Sequence, residues 1–246
     1  MIEPAHTPSG RAATLERLRH ALRRLEGRGG AVASTGMAAI DAALPGGGLR
    51  LGALHEILAG PDQMAAAEGF AATLVAGLAR PGSVLWCRPA ADLYGHGLAR
   101  LGLTPERLLL VRAARAASLL WAMEEGLRAG GLAAVLGQVP GLDLTAGRRL
   151  QLAAEATDTP CLVLGGMGGA TAAATRWHIE TAPGEADPRD FGTIRPRWRV
   201  TLTRCHGAVP QDEAGFGQWL VDEGGGAEAV FADIRMSRSK IYANDV

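Results

Sequence analysis

Apolar residues in this chain concentrate in short runs separated by longer amphipathic stretches, and the two kinds alternate from residue 53 to residue 164. The runs at residues 53–58, 83–87, 108–111, 132–136 and 161–164 predict strands buried on both faces. The stretches between them predict helices over 64–79, 91–101, 116–128 and 143–156. Arg80-Pro81-Gly82 stops the first of these and Gly102 the second, while Asp143 caps the last. Such alternation predicts an α/β fold, a mostly parallel sheet flanked by helices.

From residue 175 the pattern changes. Residues 176–181 and 197–205 alternate polar and apolar positions, as antiparallel edge strands at the carboxyl-terminal side of a sheet do. Between them, residues 182–196 are rich in proline, glycine and acid and predict a polar loop. Residues 217–221 and 228–234, around a turn at 223–226, predict a short hairpin added to the sheet. Ahead of the core, residues 11–26 predict a helix whose Leu15, Leu18, Leu22 and Leu25 form a narrow stripe among arginines, ended by glycines. That stripe reads as a surface packed on its own core or as one that docks a partner. The division expected is an amino-terminal arm and helix over 1–28, a core over 30–206 and a carboxyl-terminal hairpin with a basic tail over 207–246.

Composition narrows the function classes. Formal net charge is zero over 246 residues, so no global field favours nucleic acid, and any such contact depends on local patches. Two patches qualify: the tail residues Arg235, Arg238 and Lys240, and the set Arg195, Arg197, Arg199 and Arg204 near Trp177, Trp198 and Trp219. Tryptophans beside arginines hold single strands in some proteins, but a packed sheet edge is the reading favoured here. Cys87, Cys161 and Cys205 form no C-x-x-C pair, which fits a reducing cytoplasm better than a disulfide or zinc scaffold. No stretch approaches the roughly eighteen apolar residues of a membrane span. His55 and Glu56 are adjacent in a strand and point to opposite faces, which argues against a shared site.

The most informative segment runs from Ser34 to Ala67. Ser34-Thr35-Gly36-Met37 is followed by Ile40-Asp41-Ala42-Ala43-Leu44, the turn Gly46-Gly47-Gly48-Leu49, an apolar strand, and then Gly60-Pro61-Asp62-Gln63-Met64-Ala65-Ala66-Ala67. This resembles the opening of the RecA core, where a Walker A loop follows the first strand. A working loop needs a second glycine, a lysine and a hydroxyl. Here Ala65, Ala66 and Ala67 hold those three places. The only lysine in the chain is Lys240, so no Walker lysine exists in the core. The resemblance continues through Ser83 to Arg88 and Leu98 to Leu110. It puts Arg88-Pro89 where RecA has a water-polarising glutamate, Gly137 where a Walker B aspartate holds the magnesium shell, and Gly165-Gly166 where a γ-phosphate sensor stands.

These losses on a RecA-like frame, together with the Leu44 to Leu49 turn and the Gly52-Ala53-Leu54-His55-Glu56 start of the first core strand, resemble the ImuA family over residues 30–206. The resemblance implies a scaffold or modulator without a cofactor, acting in DNA-damage-induced translesion synthesis beside an ImuB-like polymerase adaptor, with RecA and an error-prone C-family polymerase as further partners. It also allows a homo-oligomer, weak or indirect DNA contact, no membrane and a cytoplasmic location. Two other classes stay open: a divergent RecA-type ATPase whose missing charge comes from Arg88 or from another subunit, and a SulA-like cell-division inhibitor.

Overall fold

A computed structural model describes residues 30–78, 82–90, 92–165, 171–186, 192–208 and 215–230. The leucine stripe from Leu15 to Leu25 and the tail residues Arg235, Arg238 and Lys240 lie outside them. The described chain begins with β1 (Val32–Ala33) and α1 (Ala38–Ala43), after which β2 (Leu49–Arg50) pairs back on β1 in antiparallel fashion. The Ser34-Thr35-Gly36 turn between β1 and α1 is held by one carboxylate. Asp41 accepts from the Thr35 amide (2.9 Å), the Thr35 hydroxyl (2.7 Å) and the Ser34 hydroxyl (2.6 Å).

Next come β3 (Leu54–Leu58), α2 (Met64–Gly77), β4 (Val84–Arg88), α3 (Gly95–Arg100), β5 (Leu108–Arg112) and α4 (Ala116–Ala129). They are followed by β6 (Ala134–Gln138), α5 (Leu144–Thr157), β7 (Cys161–Gly165), β8 (Thr175–Ala186), β9 (Ile194–Cys205), β10 (Gln218–Asp222) and β11 (Ala227–Ala229). Nine strands form one sheet in the order β11-β10-β9-β8-β3-β7-β6-β4-β5. The six from β5 to β8 pair in parallel, and β9, β10 and β11 add antiparallel strands at the other end. The fold is therefore the α/β arrangement that the alternating runs predict.

Two cores sandwich the sheet, and side-chain alternation assigns each strand residue to one of them. Phe70 and Leu74 of α2 and Leu98 of α3 pack with Trp86, Leu136 and Trp177 on one face. Leu119, Met123 and Leu127 of α4 and Leu150 of α5 pack with Leu85, Cys87, Val135 and Val163 on the other. Each fully buried side chain of this size contributes about 1.5–3 kcal/mol. Trp177, Trp198 and Trp219 belong to the first core, which settles the choice between packing and stacking for these rings: all three are buried. Trp177 lies 6.0 Å from Phe70 and 6.2 Å from Trp219, ring centre to ring centre.

Three boundaries differ from expectation. Residues 182–196 are not simply a polar loop, because β8 continues to Ala186 and β9 begins at Ile194, so much of the span is the far end of a long hairpin. A register shift between Ala182 and Glu185 takes up Pro183-Gly184, which is how a strand accommodates a proline that cannot donate. The strand expected at 132–136 runs from Ala134 to Gln138. The helix expected at 91–101 shortens to Gly95–Arg100.

Candidate functional site

β3 lies inside the parallel part of the sheet, between β7 and β8, and the loop after it leads into α2. In open α/β sheets ligands bind beyond the carboxyl ends of the strands, so this loop is the place to look for a site. Gly60 is extended (φ −63°, ψ 166°), Pro61–Gln63 make a single 3-10 turn, and α2 starts at Met64. The loop is short and tied down: the Gln63 side-chain oxygen accepts from the Thr181 amide (2.7 Å) and the Thr181 hydroxyl (2.6 Å) of β8. Asp62 is exposed in the turn.

Ala65, Ala66 and Ala67 occupy the first turn of α2, with no charged side chain among them and no side-chain cap. Ala65 faces solvent, whereas Ala66 and Ala67 are built into the core beneath the helix. The amides of a helix start favour an anion. Binding a triphosphate additionally needs a cation and a metal-holding oxygen, and the three methyl groups supply neither.

At Gly137, the position that the RecA resemblance gives for a Walker B aspartate, a larger side chain meets a steric obstacle. Gly137 sits in β6 on the α4 side of the sheet. A Cβ built there would lie 2.1 Å from the Met123 sulfur and 2.5 Å from its terminal methyl. Met123 is fully buried and fills the space that an aspartate side chain would need.

Arg88, at the end of β4, is the cation that sequence reasoning offered as a substitute for the lysine. It is 3% exposed and already engaged. Its Nη2 donates to Asp92 (2.6 Å) and to Glu68 of α2 (3.3 Å). Burial and the charge of Asp92 push the Glu68 carboxyl up, while Arg88 pulls it down, and the upward shift wins. Nε and Nη1 of Arg88, and Oε1 of Gln138 on the neighbouring β6, are buried without hydrogen-bond partners. Sequence reasoning missed Glu68. The available signal was the single acid inside an otherwise uncharged helix, 64–77, facing a strand that ends in arginine.

His55 and Glu56 do point to opposite faces. The His55 Nε2–H donates to the Arg50 carbonyl (2.8 Å), which leaves Nδ1 to accept from the Thr175 hydroxyl (2.7 Å). Thr175 accepts in turn from the Trp177 indole (2.8 Å). Burial lowers the His55 pKa to about 4, so the ring is neutral. Glu56 pairs with Arg176 (2.7 Å) and accepts from the Thr171 hydroxyl on the other side. Both residues brace β3 against β8.

The remaining candidates are structural. Asp143 caps α5 by accepting from the Ala146 amide (2.7 Å). Arg197 and Arg199 face Glu185 and Glu180 across the hairpin, each at 3.7 Å. That pairing offsets the basic edge considered from sequence. The three cysteines are buried free thiols, and no cluster of metal-ligating side chains occurs among the described residues. No helix among them is long and apolar enough to cross a membrane.

Comparison with known proteins adds what geometry alone does not. No family model matches the chain. Protein ImuA of Caulobacter vibrioides, from strain NA1000 / CB15N and from strain ATCC 19089 / CIP 103742 / CB 15, is in each case 39% identical over 207 residues, spanning 77% of this chain and 82% of the relative. Identity of that degree along most of both sequences means that this chain belongs to the ImuA family.

Proposed function

We propose that this chain is a RecA-like scaffold without a competent ATPase site, acting in DNA-damage-induced translesion synthesis beside an ImuB-like polymerase adaptor. RecA and an error-prone C-family polymerase are further contacts in this reading, and the place of action is the cytoplasm. The observation that carries it is the pair of substitutions at the loop and the fourth parallel strand. Ala65, Ala66 and Ala67 provide no cation or hydroxyl, and Met123 occupies the volume at Gly137. Phosphoryl transfer depends on positioned cations and metal, so a frame that has filled those positions with apolar groups serves better for binding than for hydrolysis. The engagement of Arg88 by Glu68 and Asp92 weighs against a divergent ATPase that borrows its charge.

Direct DNA contact is weak in this reading, because Arg197 and Arg199 of the hairpin face acids. The leucines Leu15, Leu18, Leu22 and Leu25 are proposed as a partner contact on their spacing alone. The test has two arms. Melting is followed with and without ATP and magnesium; a ligand at a hundred times its Kd stabilises by about 2.7 kcal/mol, and no shift is expected. Capture from DNA-damaged cells should recover a polymerase adaptor with the wild-type chain and lose it with Leu18→Asp. A magnesium-dependent shift, or capture free of polymerase components, overturns the reading.

A further inference from the structure

β5 ends the parallel side of the sheet, and among the described residues no strand covers its outer edge. The Ala113 amide donates to the Arg88 carbonyl of β4 (3.1 Å). By alternation Leu109 and Val111 turn their backbone groups toward β4, while Leu108, Leu110 and Arg112 turn theirs outward. Two apolar side chains of the strand are also uncovered, whereas Leu108 and Val111 pack on the two cores. Leu109 is 50% exposed on the face of α4, and Leu110 is 45% exposed on the face of α2. Natural edges are usually blunted by an inward charge, a proline or a bulge. Leu108-Leu109-Leu110-Val111 carries none of these.

Charge gathers at the strand's carboxyl end instead. Arg112 and Arg115 are both exposed, and neither forms an ion pair with a carboxylate among the described residues. The acid on the neighbouring exit from β4, Asp92, is held by Arg88. At the other end of the strand, Arg107 buries Nη2 without a partner, beside Glu106.

We propose that β5 is a docking edge to which a partner protein adds an extended apolar segment as a further strand, with its carboxylates meeting Arg112 and Arg115. Backbone pairing along Leu108, Leu110 and Arg112 supplies affinity, the exposed leucines receive alternate apolar side chains, and the two arginines select acidic ends. This deepens the scaffold reading by naming one surface and the chemistry of its partner, and it rests on that reading for the existence of one.

The probe is a fluorescent synthetic peptide with an apolar alternating centre of about six residues, the length of an average strand, and glutamates at both ends; its twin carries lysines. The full chain should bind the acidic probe and not the basic one. Leu110→Pro removes an outward amide while leaving the ladder to β4 intact, and should weaken binding by about tenfold or more. Arg112→Glu combined with Arg115→Glu lies on exposed positions, keeps the fold, and should reverse the preference between probes. Equal binding of both probes, or acidic-probe binding unchanged in either variant, overturns the proposal. So does a wild-type dimer that Leu110→Pro splits, which would put a second copy on the edge. A thermal response to ATP would defeat the pseudo-ATPase reading while leaving the peptide result standing.

Discussion

The sulfur of Met123 on α4 stands where a side chain at Gly137 of β6 would have to be, 2.1 Å from the ideal Cβ position. A glycine in a strand interior is unfavourable unless something approaches closely. Here the close approach is a thioether from the neighbouring layer, a group whose flexibility suits it to filling irregular gaps. The backbone of β6 at Gly137 and the Met123 side chain therefore pack closely against each other.

Restoring the acid should therefore be destabilising. Gly137→Asp both overpacks the core and buries a carboxylate, a combined effect expected at about 3 kcal/mol or more. Met123→Ala alone should cost about 2–5 kcal/mol through its cavity. The double variant should lose clearly less than the sum of the two, because each change relieves the other. Urea denaturation of the four proteins checks this, and strict additivity would show that the two residues do not share the space.

Around Arg88 the two carboxylates should differ in weight. Glu68 is 20% exposed and Asp92 is 70% exposed, on their side chains. Asp92→Asn should change stability by less than about 1 kcal/mol, as exposed pairs do. Arg88→Met leaves Glu68 partly buried without its cation and is expected to cost about 3–5 kcal/mol. Combining Arg88→Met with Glu68→Gln should recover part of that loss. Thermal melts of the variants at neutral pH report the order, and a larger effect from Asp92→Asn than from Arg88→Met would contradict the placement.

His55 should give stability a pH dependence of definite sign. Its pKa is about 4 when folded and 6.5 in its ordinary state. Between those values the unfolded chain takes up a proton that the folded chain refuses. The contribution is complete above pH 6.5 and drains away as pH falls toward 4, amounting to about 3 kcal/mol in order of magnitude. His55→Gln should flatten this part of the profile. An unchanged slope in that variant would mean that other groups carry the acid sensitivity.

The thiols should be silent in the native protein. Burial raises Cys87 and Cys205 to about 11, and Cys161 higher still. Thiolate is the reactive form, so a disulfide reagent at neutral pH should label none of them until denaturant is added, and then all three. Rapid labelling of Cys205 without denaturant would indicate local opening at the end of β9.

The strands from β3 to β7 were legible because each is a short run of mainly apolar residues between amphipathic stretches, a pattern that burial within the sheet imposes. The hairpin tip was not. Beyond Ala182 the ends of β8 and β9 leave the helices behind, both faces meet water, and the composition turns polar although backbone pairing continues. Periodicity reports burial, and where a strand projects past its core there is none to report.

The sequence by itself determined the order of elements from β3 to β7, the missing lysine and the methyl groups at the loop, since these depend only on which residue types occur and how they are spaced. Tertiary structure alone decided that Met123 fills the space at Gly137, that Glu68 meets Arg88, and that His55 meets Thr175 from 120 positions away. Those contacts join residues on different layers or strands. The physical reason is that spacing along the chain fixes which way a side chain points, and only the packing of one element on another fixes what it meets there.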